Sequence, residues 1–320
     1  MKAIVCTKYG PPDVLQLEEV EKPAPQDDEV LIKTHAASLN AYDWHLLTAD
    51  FFVVRLAGGG LLRPKNKIPG ADIAGRVETV GRNVTQFQPG DDVFGDVGHG
   101  GFAEYVCARE NRLGSKPANL SFEEAAAVPM AALTALQALR DKGKIRPGQK
   151  VLINGASGGV GTFAVQIAKS FGAEVTAVCS TGKMDMARSI GADKVIDYTK
   201  EDFTKNGQHY DLILAANGYH PILDYRRALS PKGIYVVVGG SAAQMFQAML
   251  LGPGISMTGG KKMGTMMARI DQKDLGFIKE LLEAGKVRPV IDRRYPLSEA
   301  PEALRYLGEG HARGKIVITI

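Results

Sequence analysis

Cysteine is scarce in this chain of 320 residues, which contains only Cys6, Cys107 and Cys179. The three lie far apart, their number is odd, and none belongs to a C-x-x-C pair. This spacing argues against a disulfide framework and is typical of a protein from a reducing compartment. Residues 1–6 lack the long apolar run of a signal peptide and predict a short strand instead. We therefore expect a cytoplasmic protein.

Excess charge and long apolar runs are also missing. The formal net charge is only +4, and no run of five or more like charges occurs. Nucleic-acid binding would need a denser basic stripe with interleaved aromatic residues, so we expect no nucleic-acid partner. The most apolar stretch, residues 234–257, is interrupted by Gly, Ser, Gln and Pro. Such a stretch is too broken to span a bilayer, so we expect no membrane partner either.

The texture of the chain changes near residue 120. Before it, short β-rich runs at residues 29–33, 75–80 and 102–106 alternate with Gly/Pro turns, which is typical of a β-barrel. After it, Ser121 and Glu124 have the spacing of a capping box and predict the start of an Ala-rich helix that continues towards Leu139.

Strands and helices then alternate. The predicted strands are residues 150–154, 174–179, 194–197, 211–215 and 233–238, and the predicted helices are residues 162–171, 183–190 and 222–229. This alternation predicts an α/β fold with a parallel, doubly wound sheet. Helices at residues 273–284 and 300–307 precede a last strand at residues 315–320, which we expect to return to the first domain. The expected domains are residues 1–122, residues 123–257 and a returning segment, residues 258–320.

A glycine-rich segment, NGASGGVG at residues 154–161, lies between a predicted strand and a predicted helix. That context predicts a dinucleotide-binding turn. Ala156 is expected to permit the tight turn, Gly158 to let backbone N–H groups approach a pyrophosphate, and Gly161 to let the helix pack closely on the sheet. A purely structural turn would not explain three small residues at these spacings. The predicted cofactor-binding residues of the segment are Ala156, Ser157, Gly158, Gly159, Val160 and Gly161.

An acidic residue is missing where an NAD site needs one. Such a site ends its second strand with an Asp or Glu that binds the ribose 2′-OH. Here that strand is followed by Ser180, Thr181 and Lys183, with no carboxylate before Asp185. Two hydroxyl groups and an ammonium group suit a 2′-phosphate, and Tyr198 could close the same pocket. We predict NADPH rather than NADH; the alternative is that the hydroxyls only cap the next helix and the lysine is solvated.

Further cofactor contacts are expected at the carboxyl ends of the later strands, because open α/β sheets bind their ligands there. The candidates are Asn217, Gly239, Gly240 and Ser241.

Several sequence blocks together resemble the zinc-independent branch of the medium-chain dehydrogenase/reductase superfamily, near the quinone oxidoreductases and enone reductases. Besides the glycine segment, they are PGADIAG at residues 69–75, GGFAEY at 100–105, LTA at 133–135 and RGKIV at 313–317. The resemblance covers essentially the whole chain. It implies a GroES-like β-barrel domain, an inserted Rossmann domain and a C-terminal return to the barrel. It also implies a homodimer formed through the edge of the Rossmann sheet.

Zinc-dependent relatives carry ligands at positions where this chain has other residues. The resemblance places Asn40 at the first ligand position, Ala71 at the second, and the third near residues 128–130, where there is no Cys or His. The lobe with four closely spaced cysteines is missing as well. Catalytic zinc needs about three protein ligands and an open position, so we expect no metal.

The missing ligands bear on the chemistry. Interconversion of an alcohol and a carbonyl needs a Lewis acid or a positioned acid. Hydride donation to a quinone or an activated C=C bond needs only hydrogen-bond donors and water around the developing oxyanion. We therefore predict an NADPH-dependent oxidoreductase that acts on a small apolar quinone or α,β-unsaturated carbonyl. The alternatives are an NADPH-binding redox sensor or structural protein with little catalysis, and a zinc-free alcohol or ketone reductase.

Roles for single residues follow from the resemblance. It places Asn40 in the substrate cleft and Thr134 on the nicotinamide side. Tyr42 is the candidate hydrogen-bond or proton donor to the substrate oxygen; ordinary core packing of Tyr42 and Trp44 is the alternative. Residues 46–68 are rich in apolar side chains and contain three consecutive glycines. They predict a flap over an apolar substrate, with a subunit or domain contact as the alternative.

Overall fold

The computed structural model describes residues 1–49, 60–258 and 260–320. The chain forms two compact units. The first comprises Met1–Ala131, Ile270–Glu283 and Pro289–Ile320, and the second comprises Ala132–Arg269 and Ala284–Arg288.

The regular elements of these residues follow in chain order. The strands are β1 (Lys2–Cys6), β2 (Leu15–Glu19), β3 (Glu29–Ser38), β4 (Asp72–Val80), β5 (Asp92–Asp96), β6 (Tyr105–Arg109), β7 (Leu113–Ser115), β8 (Lys150–Asn154), β9 (Glu174–Cys179), β10 (Lys194–Asp197), β11 (Tyr210–Ala215), β12 (Leu229–Val237), β13 (Lys262–Thr265), β14 (Ile291–Pro296) and β15 (Lys315–Thr319). The α-helices are α1 (Ala41–Thr48), α2 (Phe122–Ala126), α3 (Pro129–Gln137), α4 (Gly159–Ser170), α5 (Met184–Ser189), α6 (Ile222–Ala228), α7 (Ala242–Thr258), α8 (Gln272–Glu283) and α9 (Ala300–Gly308).

A mainly antiparallel sheet forms the first unit. Its strand order is β14-β15-β3-β4-β5-β7, and β6 also pairs with β3. The last strand of the chain, β15, lies between β14 and β3, so the C-terminal segment contributes to the sheet of the first unit. Alternate side chains of β3 and β4, such as Ile32 and Ile73, are buried together with Val93 and Phe102 in one core. The predicted β-rich first domain is therefore confirmed.

A six-stranded parallel sheet forms the second unit, in the order β10-β9-β8-β11-β12-β13. Numbered from β8, this is the 3-2-1-4-5-6 order of a doubly wound dinucleotide-binding sheet. The central strand β8 buries Val151, Leu152 and Ile153 completely, as expected of a strand that is covered on both faces. The fold class predicted from the alternating pattern is confirmed.

The sheet continues further along the chain than the sequence predicts. β13 pairs with β12 and extends the parallel sheet to Thr265, and the first unit resumes only at Ile270. The earlier boundary falls at Ala131–Ala132, within α3, instead of at residue 122. The apolar stretch at residues 234–257 provides the end of β12 and most of α7, a helix that its pattern did not predict. No helix in the described part of the chain is both long and apolar enough to span a membrane.

The predicted helix that starts after Ser121 is real but shorter. Ser121 Oγ accepts the N–H of Glu124 at 3.2 Å, and the Glu124 carboxylate accepts the N–H of Ser121 at 2.9 Å, so the predicted capping box is confirmed. The helix stops at Ala126 and a second one begins at Pro129. Proline lacks a backbone N–H and fixes φ, so it tolerates the first turn of a helix but interrupts the interior.

Candidate functional site

The glycine-rich segment forms the turn between β8 and α4. Gly155 has a φ of +84°. Its N–H and that of Ala156 both point to the carbonyl of Val178, at 3.2 and 3.1 Å. The sequence suggested that Ala156 permits the tight turn. In the structure, Gly155 is the residue that makes it. The reason is steric, because a Cβ on Gly155 would lie 2.7 Å from the Cβ of Asn217 as well as straining the backbone.

Two further glycines of the segment have different surroundings. A Cβ on Gly161 would lie 2.1 Å from the carbonyl oxygen of Gly155, so only glycine allows α4 to pack this closely on the turn. A Cβ on Gly158 would meet only the Gly155 oxygen, at 3.7 Å, so the space in front of Gly158 is open. A bound group can therefore approach the backbone at Gly158.

The start of α4 supplies donors beside that open space. The N–H of Thr162 donates to the carbonyl of Gly158 at 2.9 Å. The N–H groups of Gly159, Val160 and Gly161 precede this bond and have no partner within an α-helix. Together with the positive end of the helix dipole they suit a pyrophosphate, so the residues present fit a dinucleotide. Ser157 lies in the same turn and is buried.

The edge that would hold a 2′-phosphate follows β9 and β10. Ser180, Thr181 and Lys183 come directly after β9, and the N–H of Tyr198 donates to the carbonyl of Cys179 at 3.1 Å. The structure thus brings Tyr198 to the end of β9. About half of the Tyr198 side chain is exposed, at 49%.

Asp197, which ends β10, was missed by sequence reasoning. Its carboxylate accepts the hydroxyl protons of Thr181 and Thr199, and these bonds lower the pKa of Asp197 to about 2. Thr181 is therefore already committed to a carboxylate, whereas the sequence suggested a hydroxyl available for phosphate. In the sequence, Asp197 was visible only as the last residue of a predicted strand, directly before Tyr198. That position did not show that its carboxylate would contact Thr181.

The later strand ends meet at the same edge of the parallel sheet. The N–H of Asn217 donates to the carbonyl of Asn154 at 3.2 Å. Gly218 forms a parallel bridge with Gly240, and its carbonyl accepts the N–H of Ser241 at 3.2 Å. Gly239 contributes its carbonyl to the N–H of Gly218 at 3.0 Å. Thr134, the expected nicotinamide contact, lies on α3 and is buried.

The first unit contains a group of buried polar side chains that we call the Asp72 cluster: Asn40, Asp43, Asp72, Asp96 and Lys315. Asp72 has no exposed surface at all (0%). Its Oδ2 atom accepts Nδ2 of Asn40 at 2.9 Å and lies 3.6 Å from Nζ of Lys315, which itself donates to Oδ1 of Asn40. Both ends of the Asn40 amide are therefore used inside the protein.

Asp72 also holds backbone groups in place. Its two carboxylate oxygens accept the N–H of Met130, in the first turn of α3, at 3.1 and 3.2 Å. A carboxylate at this position complements the positive end of the helix. At the start of α1, Oδ2 of Asp43 accepts the N–H of Asn40 at 2.8 Å. The cluster therefore fixes the first turns of two helices.

Burial dominates the ionisation of the cluster. It raises the pKa of Asp43 to about 7 and also raises the pKa values of Asp72 and Asp96. The same desolvation lowers the pKa of Lys315, which the nearby carboxylates partly counteract. Asp96 is further held by Arg112, whose guanidinium donates to Oδ1 at 2.9 Å.

The positions expected to correspond to zinc ligands all lie in or beside this cluster. Asn40 is bound to Asp72 and Lys315, Ala71 offers only a methyl group, and Met130 contributes its N–H to Asp72. Among residues 1–49, 60–258 and 260–320, no three His, Cys, Asp or Glu side chains are arranged to hold a metal ion. The donor set therefore does not fit a catalytic zinc ion.

Tyr42 and Trp44 have different environments on α1. The Tyr42 side chain is 42% exposed, whereas a Cβ on Gly308 would lie 2.3 Å from the Trp44 ring. Trp44 therefore packs against α9 and Tyr42 does not belong to the core. Burial of the part that is covered, followed by the charges of Asp43 and Asp96, raises the pKa of Tyr42. The predicted flap, residues 46–68, includes residues 50–59, which lie outside the described residues.

Asp43, Asp72, Asp96 and Lys315 were not identified as site residues from the sequence. Asp72 and Lys315 each belong to a block that carries the family resemblance, PGADIAG and RGKIV. A charged residue within an otherwise apolar strand pattern was the signal that could have revealed them.

Comparisons with known proteins agree with this architecture. The alcohol dehydrogenase GroES-like domain matches residues 26–118, and a zinc-binding dehydrogenase family matches residues 190–318. The 2-methylene-furan-3-one reductase of Solanum lycopersicum is 36% identical, with 99% of this chain and 79% of the relative covered. The chloroplastic NADPH-dependent alkenal/one oxidoreductase of Arabidopsis thaliana is 33% identical, over 99% of this chain and 79% of its own length.

Among solved structures, the quinone oxidoreductase from Coxiella burnetii superposes with a TM-score of 0.89 at 32% identity, covering 100% of this chain and 99% of that one. The fold, the glycine turn and these relatives identify the family. The chain belongs to the medium-chain dehydrogenase/reductase superfamily, among its quinone oxidoreductases and enone reductases.

Proposed function

We propose that this chain is an oxidoreductase that uses NADPH to reduce quinones or α,β-unsaturated carbonyls without a metal. The observation that carries the proposal is the glycine turn after β8, whose open space at Gly158 lies beside the N-terminus of α4. Relatives named as a furanone reductase, an alkenal/one oxidoreductase and a quinone oxidoreductase support the substrate class. NADPH, when bound, supplies the hydride.

The second unit binds and orients the cofactor in this proposal. The N–H groups of residues 159–161 receive the pyrophosphate, and Thr134, Asn217 and the backbone at residues 239–241 line the rest of the dinucleotide. Ser180, Lys183 and the hydroxyl of Tyr198 bind the 2′-phosphate, which favours NADPH over NADH. Thr181 acts indirectly, since its hydroxyl is bound to Asp197.

The first unit supplies the groups that act on the substrate. We assign Tyr42 as the hydrogen-bond donor to the substrate oxygen, because its side chain is partly exposed and a phenol carries its proton at neutral pH. Asn40 becomes a positioning residue, since its amide is bound to Asp72 and Lys315 and it immediately precedes α1, which carries Tyr42.

A turnover assay tests the proposal. The purified chain is given NADPH or NADH with a panel of quinones and enones, and the products are identified by mass spectrometry. We expect a saturated ketone from an enone and a lower KM for NADPH than for NADH. An allylic alcohol would favour a carbonyl reductase, NADPH binding without turnover would favour a redox sensor, and equal KM values would overturn the NADPH preference.

Two substitutions and a metal analysis refine the assay. Tyr42→Phe removes only the hydroxyl group and should lower kcat about 10²-fold with little change in NADPH affinity. Lys183→Ala should raise the KM for NADPH and leave that for NADH unchanged. An equimolar zinc content in active protein would contradict the metal-free reaction.

The quaternary state belongs to the same proposal. We propose a homodimer formed through β13, because this strand ends the sheet in its described part and the neighbouring helix α7 exposes Phe246, Met249 and Leu250. Light scattering would measure the mass, and Leu250→Glu should produce monomers.

We also propose a cytoplasmic location, since the free thiols of Cys6 and Cys179 suit a reducing compartment; cell fractionation tests this.

A further inference from the structure

We infer that Tyr219, together with Tyr198, forms the wall against which the adenine ring of the cofactor stacks. The inference rests on the proposed function, because it assigns a residue to one part of the proposed dinucleotide site. Neither the glycine turn nor the positions after β9 provide a surface for a planar apolar ring.

The two rings lie at the edge of the second unit where the proposed dinucleotide site is located. Tyr198 follows β10 and Tyr219 follows β11, both at the carboxyl end of the parallel sheet. Their ring centroids are 5.8 Å apart and their planes are tilted by 55°. The Tyr219 side chain is 47% exposed, whereas Tyr225 and Tyr235 behind it are fully buried. Small-molecule sites are lined mainly by apolar and aromatic side chains, so a pair of half-exposed rings at this edge suits a planar ligand.

Tyr219 is also fixed relative to the glycine turn. The hydroxyl of Tyr225 accepts Nδ2 of Asn154, at the end of β8, at 2.6 Å and the N–H of Tyr219 at 3.4 Å. One buried hydroxyl therefore links the residue before the turn to the backbone of Tyr219. Asn217, two residues earlier, packs directly against Gly155. These contacts place the ring at a set distance from the proposed pyrophosphate position.

Adenine is the part of the cofactor whose chemistry matches this surface. A purine presents a π-face that stacks on aromatic rings without directional hydrogen bonds. His220 already packs against Tyr219, with ring centroids 4.3 Å apart. We therefore assign the remaining exposed surface of the two tyrosines to the base, and the Tyr198 hydroxyl to the neighbouring phosphate.

The test compares Tyr219→Ala with Tyr219→Phe, which keeps the ring and serves as the matched control. Dissociation constants are measured by calorimetry for NADPH and for 2′,5′-ADP, and kcat/KM is measured for reduced nicotinamide mononucleotide, which has no adenine. We expect Tyr219→Ala to raise Kd about tenfold for both adenine-containing ligands. Tyr219→Phe should stay within about twofold of the unsubstituted chain, and kcat/KM with the mononucleotide should not change.

Two results would overturn the inference. One is an unchanged Kd of Tyr219→Ala for 2′,5′-ADP. The other is an equal loss with the mononucleotide, which would show that the substitution disturbs the sheet edge as a whole. Failure of the unsubstituted chain to bind NADPH would overturn the proposed function and the inference together, so the two failures are distinguishable.

Discussion

The two units prepare their functional residues in different ways. The proposed cofactor edge of the second unit is built mainly from backbone groups and small residues, and four glycines lie within seven consecutive positions of one turn, residues 155–161. The Asp72 cluster of the first unit is built from the charged side chains of Asp43, Asp72, Asp96 and Lys315 and the amide of Asn40. A local motif thus exposes donors to a ligand, whereas residues distant in sequence bury charges that satisfy one another.

The largest effect should come from breaking the buried ion pair. Lys315→Met leaves the carboxylate of Asp72 buried without its cation, and we expect unfolding free energy to fall by about 3–5 kcal/mol. Trp44, the single tryptophan, lies on α1 in the same unit and reports unfolding in urea by fluorescence. Lys194→Met is the control, because its pair with Glu174 is exposed and should contribute no more than about 1 kcal/mol.

A double substitution sharpens this result. Combining Lys315→Met with Asp72→Asn removes both charges, so the double variant should be much less destabilised than the sum of the two single variants. If the loss of unfolding free energy in the double variant equals the sum of the two single losses, the two buried charges do not stabilise each other.

The next effect concerns the cofactor edge. Gly161→Val would place a Cβ 2.1 Å from the Gly155 carbonyl, and neither backbone can yield. We expect the Kd for NADPH to rise about 100-fold, roughly 2.7 kcal/mol, measured by fluorescence titration. Gly158→Ala is the control for folding: its Cβ would meet only one atom, at 3.7 Å, so the free energy of unfolding should not change. Tight NADPH binding by Gly161→Val would contradict the close packing of α4 on the turn.

The smallest effect is a pH dependence that only the charged cluster should show. Asp43 has a pKa of about 7 when folded and about 3.8 as the ordinary value, so between these limits the folded state binds more protons. Its contribution to stability is therefore full below about pH 4 and is lost as the pH rises through 7. Asp96 and Lys315 influence the same titration.

Asp43→Asn removes that titration. Relative to this variant, the unsubstituted chain should lose on the order of 1 to 2 kcal/mol of unfolding free energy between pH 5 and 7. Urea titrations at several pH values measure the difference. A constant difference across that range would mean that Asp43 is already charged at pH 5.

The same contrast explains what could be predicted from the sequence. Strands β9 and β10 were predicted with their observed limits, because short apolar runs between turn residues are local signals. The glycine segment was recognisable for the same reason. The turn was assigned to Ala156, one position after the residue that makes it, Gly155. The sequence pattern alone did not reveal which of the two takes a positive φ.

Features that depend on tertiary contacts were not predictable. Thr181 looked available for a phosphate until the structure showed its hydroxyl on Asp197, sixteen residues later. Asn40 looked like a substrate-facing amide until Lys315, 275 residues away in sequence, was found bound to it. The helix α7 was missed because its apolar residues are not confined to one face, so they lack the periodicity of an amphipathic helix.

The position of Lys315 has a consequence for synthesis of the protein. Asp43 and Asp72 leave the ribosome early, but the ammonium group of Lys315, which compensates their burial, arrives with β15, after the whole second unit. Until then, closing the first core would enclose uncompensated carboxylates, which is unfavourable. We therefore expect the inserted parallel-sheet unit to become protease-resistant first on a growing chain, and the unit that begins the sequence to do so last. Proteolysis of ribosome-stalled chains of increasing length would reveal the opposite order if this is wrong.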